Sequence, residues 1–249
     1  MLATSFKPTP EIYSGRADFW PSTFSLEHYR SVSHDQNLWR SMANSLIAGL
    51  CSALLAVLIA TPAAYALTRF KSAINKMVLG WMVTSQIFPA ILMMIPLYMV
   101  LRRMQLTDSL TGLTLVYVVW ALPFVMWMLH GYFKSIPADL EEAAALDGAS
   151  RPQIIFHVLM PLLLPCLAAA VLFAFISAWN EFFFALVLIK SPSAITLPVE
   201  LARFTGMEGQ ARTGPLAAAS FIATIPSVIL FAFMRKWFAS GLLAGAVKN

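Results

Sequence analysis

Long, nearly uncharged apolar runs alternate with short polar intervals along this chain, and that alternation predicts helices that cross a membrane. The first run extends from Asn44 to Phe70 and stays neutral until Arg69; at about 1.5 Å per helical residue it can cross a hydrocarbon core of about 30 Å. Ala56, Ala60 and Ala64 recur at four-residue intervals, a spacing that lets another helix approach closely, and Pro62 is placed to kink the helix near one end. A second run, Met77 to Leu101, contains Pro89 and Pro96. Two readings fit it: a bent, locally unwound segment covered by protein or lining a cavity, or a kinked helix facing lipid. The third run, Leu110 to Phe133, is punctuated by Trp120, Pro123, Trp127 and Tyr132, with His130 near its end as an interfacial imidazole or, less favoured, a proton relay. A fourth, Met160 to Ile189, has another close-packing edge at Ala170, Ala174 and Ala178, and the last runs from Pro215 to Phe238. The expected fold is therefore an all-α, polytopic transmembrane helical bundle with five visible spans.

The polar segments complete the layout. Residues 1–40 are rich in proline and aromatics, with Pro8, Pro10, Pro21, Tyr13, Phe19, Trp20 and Tyr29. They read as a folded arm outside the membrane, and residues 41–249 as the transmembrane domain. Met1 to Ser5 has neither the basic start nor the apolar core of a secretory signal. Lys190 to Gly214 forms a polar loop, and Ser240 to Asn249, which contains Gly241 and Gly245, reads as a flexible tail. Because spans alternate, the loop from Arg69 to Lys76, the interval after Ser135 and the C-terminus share one side. Short-loop charge, with Arg69, Lys71 and Lys76 against Arg102 and Arg103, favours the cytoplasm for that side.

The interval from Ser135 to Pro161 is unusually long and polar for this chain. Pro137 suits a first helical turn, and Asp139, Glu141 and Glu142 place negative charge at the positive end of a helix dipole. Gly148 can stop that helix, and Ser150 can cap a second one whose first turn accommodates Pro152. Two short helices joined by a tight turn are expected. Leu140, Ala143, Ala144 and Asp147 share one small, flat face, suited to docking on another protein. On helix physics alone, an ordinary connecting loop remains the favoured reading.

Composition narrows the function. Of 249 residues, 59% are hydrophobic and only 12% charged, and a mean hydropathy of +0.73 lies outside the range of soluble domains. The net charge of +5 is not gathered into a cluster that would argue for nucleic acid. Cys51 and Cys166 have no second cysteine or histidine at ligand spacing, so neither a disulfide nor a zinc site is suggested. No G-x-x-x-x-G-K-[ST] occurs, so any ATP consumed must be hydrolysed on another chain. Glu181, beside Asn180, is the one acidic residue inside an expected span; it fits either a gate, pore or partner-subunit contact or a structural role at the outer interface. A membrane enzyme would need convergent nucleophile, base or metal ligands, which four scattered histidines do not provide. An ion-coupled secondary transporter could use Glu181 but would leave the polar interval without a role.

Glu142, Ala143 and Ala144, then three residues to Gly148, nine to Val158, one to Met160, and Pro161 follow the spacing E-A-A-x3-G-x9-I-x-L-P. This resembles the EAA loop of binding-protein-dependent ABC importer permeases, with Val158 for Ile and Met160 for Leu as conservative departures. TSFKPTPEIY and WPSTFSLEHYR near the start, NSLIAG entering the first run, LPVELARF in the last loop and GLLAGAVKN at the end extend the likeness to carbohydrate permeases of the maltose-transporter type. The resemblance implies a bacterial or archaeal cytoplasmic (inner) membrane subunit that pairs with a second permease and binds a dimer of ATP-binding subunits carrying ATP and magnesium. It implies sugar received from an extracytoplasmic solute-binding protein, and no cofactor on this chain. It places residues 135–160 in the cytoplasm as a coupling loop, with Glu142, Ala143, Ala144, Leu146, Asp147, Gly148 and Pro161 at the joint with the ATPase. It also points to the outer loop, where Phe204, Gly206, Gly209 and Arg212 are candidates for contact with the binding protein. Such permeases usually have six spans, so a first span is expected to be missing or truncated here.

Overall fold

The computed structural model describes residues 1–14, 19–70, 72–205 and 212–246, without side-chain detail at 36 and 238–246. Every regular element among them is helical. Three short helices open the chain, α1 (Leu2–Ser5), α2 (Thr9–Ile12) and α3 (Glu27–Ser33), followed by the long α4 (Gln36–Arg69). Then come α5 (Ala73–Ile87), α6 (Ala90–Arg103), α7 (Leu110–Ser135), α8 (Asp139–Leu146), α9 (Arg151–Gln153), α10 (Met160–Trp179), α11 (Phe183–Leu188), α12 (Leu197–Arg203) and α13 (Thr213–Ala246). Among the described residues, four helices are long and apolar enough to cross a membrane: Asn37–Arg69, Leu110–Ser135, Arg151–Trp179 and Thr213–Trp237. Counting the pair α5 and α6 as one broken span brings the total to five.

Several boundaries differ from the sequence expectation, each for a local reason. The second run breaks at Phe88, where α5 and α6 meet at 106°. Pro89 pushes the residue before it out of the helical region, and Phe88 has φ −73° and ψ 128°. The break favours the bent reading of this run over the simple kink. The second short helix of the polar interval does not stand alone: α9 runs through a wide π turn, Ile154–Leu159, directly into α10. The wide turn lies just before Pro161, which has no N–H to give to the His157 carbonyl and whose ring crowds it. The fourth run ends its helix at Trp179 and restarts at Phe183. At the C-terminus, α13 continues to Ala246, so Gly241 and Gly245 lie on a helix and not in a flexible tail; the run of Ala and Leu around them has high helix propensity.

By contacts the chain divides into two compact units. One comprises Met1–Gly49, Met94–Thr114 and Ala178–Ile229. In it the arm is folded: Thr9 N and Oγ1 donate to Glu27 Oε1, both at 2.6 Å, and the buried His28 ring meets the Lys7 carbonyl at 2.9 Å. A side chain at Gly214 would collide with the His28 ring, 2.2 Å from where its Cβ would stand, so only glycine lets α13 begin this close to α3. The expected polar loop after Lys190 is in fact partly core, with Ile195, Thr196, Leu197 and Val199 all buried. Asn44 Nδ2 donates to the carbonyls of Ser193 and Ile195, both at 2.9 Å, and Leu197 N donates to Ser45 Oγ at 2.8 Å.

The other unit comprises Leu50–Met93, Leu115–Ser177 and Leu230–Asn249. Its core includes the fully buried Ala56, Ala60 and Ala64 of α4 together with Leu129, Phe133, Leu159, Leu163 and Phe175. Small residues at four-residue spacing let packed backbones approach, which is where dispersion between helices is strongest. Phe124 and Phe173 stack at 3.9 Å between centroids, joining α7 to α10.

Candidate functional site

The polar interval folds into α8, a short helix of about two turns. Asp139, Glu141 and Glu142 occupy the first turn of α8, where the helix dipole favours negative charge. At its end Gly148 has φ +86°, Ala149 N donates to the Ala144 carbonyl at 3.0 Å and Gly148 N to the Ala145 carbonyl at 3.1 Å. This paired closure with a left-handed residue is the Schellman arrangement, and it favours glycine. The next helix is capped as expected, with the Gln153 side chain accepting from Ser150 N at 2.7 Å and from Ser150 Oγ at 2.8 Å.

Most of the coupling candidates face outward. Glu142, Ala143, Asp147 and Gly148 are exposed, Ala144 is half-buried, and Leu146 is 89% exposed at the end of α8. Among the described large apolar side chains none is more exposed. Pro161 is exposed near the start of α10. Leu140 and Asp147, expected on the docking face, are exposed as well.

Beneath α8 lies a polar cluster that sequence reasoning missed. Glu141 is only 7% exposed. Its Oε1 pairs with Arg69 Nε and its Oε2 accepts from Tyr65 Oη at 2.9 Å. Arg69 Nη2 also donates to the Ile136 carbonyl at 3.0 Å. The Tyr65 ring packs edge-on against Phe133, 5.7 Å between centroids. The signal was legible in part: Tyr65 and Arg69 stand four apart at the end of a span, hence on one face, and a cation leaving a membrane helix needs a carboxylate or water.

The outer candidates lie elsewhere, in the unit that holds the arm. Asn180 and Glu181 sit in the break between α10 and α11 and not inside a continuous helix. Glu181 accepts from Phe184 N at 2.7 Å and Ala185 N at 3.1 Å, so its carboxylate caps the first turn of α11. Phe204 is buried and its carbonyl accepts from Arg212 N at 3.0 Å, closing the base of the loop between them; Arg212 is exposed. Gly206 and Gly209 lie outside the described residues.

Comparison with known proteins places these features in a family. Residues 41–243 match the family described as the binding-protein-dependent transport system inner membrane component. The chain is 36% identical to the diacetylchitobiose uptake system permease protein DasC of Streptomyces coelicolor, over 100% of this chain and 90% of that one. It is 34% identical to the trehalose transport system permease protein SugB of Mycobacterium tuberculosis, with the same two coverages. Among solved structures, a bacterial ABC transporter involved in import of the acidic polysaccharide alginate superposes with a TM-score of 0.82 at 27% identity, covering 95% of this chain and 88% of that one. The chain therefore belongs to the inner-membrane components of binding-protein-dependent transport systems and groups with their carbohydrate ABC importer permeases.

Proposed function

We propose that this chain is the subunit which, with a second permease, forms the path for an oligosaccharide or related glycoside and takes its drive from a separate pair of ATP-binding subunits through α8. The observation that supports this reading most is the presentation of α8: a short acidic helix ended by a left-handed glycine, with Leu146 89% exposed at its tip. Glu142, Ala143, Ala144, Leu146, Asp147 and Gly148 form the joint, and Pro161 shapes the helix behind it. ATP and magnesium belong to the partner, and this chain performs no catalysis. Closure of an ATPase dimer can bias a permease between inward- and outward-open states only through an element that both bodies hold.

On the opposite side of the membrane, which is the bacterial or archaeal cytoplasmic membrane, the arm and the loop ending at Arg212 face a solute-binding protein. Asn180 and Glu181 stand at the break between α10 and α11, where irregular backbone suits a gate or path if it lines a cavity. The substrate class follows the relatives, whose names give diacetylchitobiose, trehalose and alginate. A secondary transporter would leave α8 without a purpose.

Co-purification tests the reading. The wild-type chain, expressed with its genomic neighbours, should bring down a nucleotide-binding subunit. Gly148→Val, which cannot hold φ +86° without strain, should lose that subunit while the chain stays in the membrane. Sugar uptake that continues without any ATPase would refute the proposal.

A further inference from the structure

Glu141 and Glu142 are neighbours in sequence, yet their surroundings divide them. Glu142 is exposed, whereas Glu141 is buried and paired with Arg69 and Tyr65. A carboxylate removed from water is stable only if its partners replace the lost hydration, and removing one partner leaves a costly unpaired charge. The cluster therefore fixes the first turn of α8 against the last turns of α4. Arg69 reaches further, to the Ile136 carbonyl beyond the end of α7. Chain connections alone would tie α8 only to α7, through residues 136–138, and to α9, through the turn at Gly148. The polar cluster adds a direct tie to α4, a membrane-crossing helix that is remote in sequence.

On the reading of α8 as the element that meets the ATPase, we propose that Tyr65, Arg69 and Glu141 are positioning residues that make α4 follow α8, while Glu142 is left for the partner. Docking and transmission then rest on adjacent but different carboxylates. Variants of Glu142 detach the ATPase. Variants of Glu141 keep it attached but slacken its link to the span.

The test uses the complete complex of this chain, the second permease and the ATP-binding subunits in lipid vesicles. It reads membrane abundance, recovery of the ATPase, and the ratio of ATP hydrolysis with and without the binding protein. Glu141→Gln and Arg69→Met should retain the ATPase but lower that ratio roughly two- to thirtyfold, the span expected where a coupling contact is lost. Tyr65→Phe, which removes only the hydroxyl and keeps the ring on Phe133, should lower it less with abundance unchanged. The exchange R69E with E141R should recover part of the loss. Unchanged ratios in Glu141→Gln and Arg69→Met would overturn the proposal, as would loss of the ATPase in step with Glu142→Ala. A fall in membrane abundance that accounts for every loss, Tyr65→Phe included, would also overturn it by reducing the cluster to a folding element. A wild-type chain that recovers no ATPase sinks the importer reading itself, and that result needs no variant.

Discussion

Asp108 shows how much one residue outside the spans can hold. It stands at φ 55°, a left-handed conformation that Asp tolerates better than most side chains. Its Oδ1 accepts from Lys190 N and Ser191 N, both at 2.8 Å, and its Oδ2 from Ser191 Oγ. These donors, the Ser191 hydroxyl foremost, hold its carboxyl below the usual carboxylate range. Because the folded value is the lower one, the stabilisation is present above the unfolded value of about 4 and is lost as pH falls through the depressed folded value. Hydrogen exchange at the Lys190 and Ser191 amides, corrected for intrinsic rate, should therefore be flat from about pH 6 to 8 and accelerate below about pH 4. Asp108→Asn should abolish the acid limb; protection that persists unchanged in the wild type at pH 3 would contradict the assignment.

At the scale of elements, the clasp on residues 193–197 can be measured directly. Asn44 and Ser45 open the apolar run of α4, and their side chains hold residues 193–197. Asn44→Ala removes both bonds from its amide and leaves two carbonyls unsatisfied, at a cost of about 1–3 kcal/mol. Faster proteolysis across residues 190–200, in a chain that still inserts normally, is the expected outcome; cleavage as slow as in the wild type would count against the clasp.

What could be read in advance follows from which signals are local. α8 was legible because Pro137, the acidic first turn and Gly148 each act on their own neighbours. The kink site at Pro89 was legible for the same reason. By contrast, the stop at Trp179 was hidden, since apolar residues continue on both sides of Asn180 and Glu181 and only the folded chain shows Glu181 turning to cap α11. α12 was mistaken for loop because its burial depends on Asn44 and Ser45, about 150 positions away. Glu141 was read for its effect on the helix dipole, while its partners lie 72 and 76 positions upstream. Local punctuation revealed α8; the residues that hold it in place needed the fold.

For the molecule as a whole, the described spans leave much of their apolar surface uncovered. The most hydrophobic part of Thr213–Trp237 is 22% buried, and that of Leu110–Ser135 is 50% buried. Such surface suits lipid and a second membrane subunit, where helices associate through packing and not through expulsion of water.

The outward position of Leu146 has a further consequence once the charges around it are counted. Asp139 and Glu142 on α8 and Asp147 just past its end are all exposed, while Arg69 neutralises Glu141 beneath it. An ATP-binding subunit docking here, as proposed above, would meet an apolar tip on a negatively charged helix. Exposed charges chiefly steer encounter, and a desolvated apolar anchor chiefly governs residence. Raising ionic strength from 0.01 M to 0.15 M shortens the Debye length from about 30 Å to about 8 Å, so it should slow association of the ATP-binding subunits while leaving their dissociation nearly unchanged. Leu146→Ser should do the reverse, and surface-binding kinetics showing both changes in the same rate constant would deny the helix this division of labour.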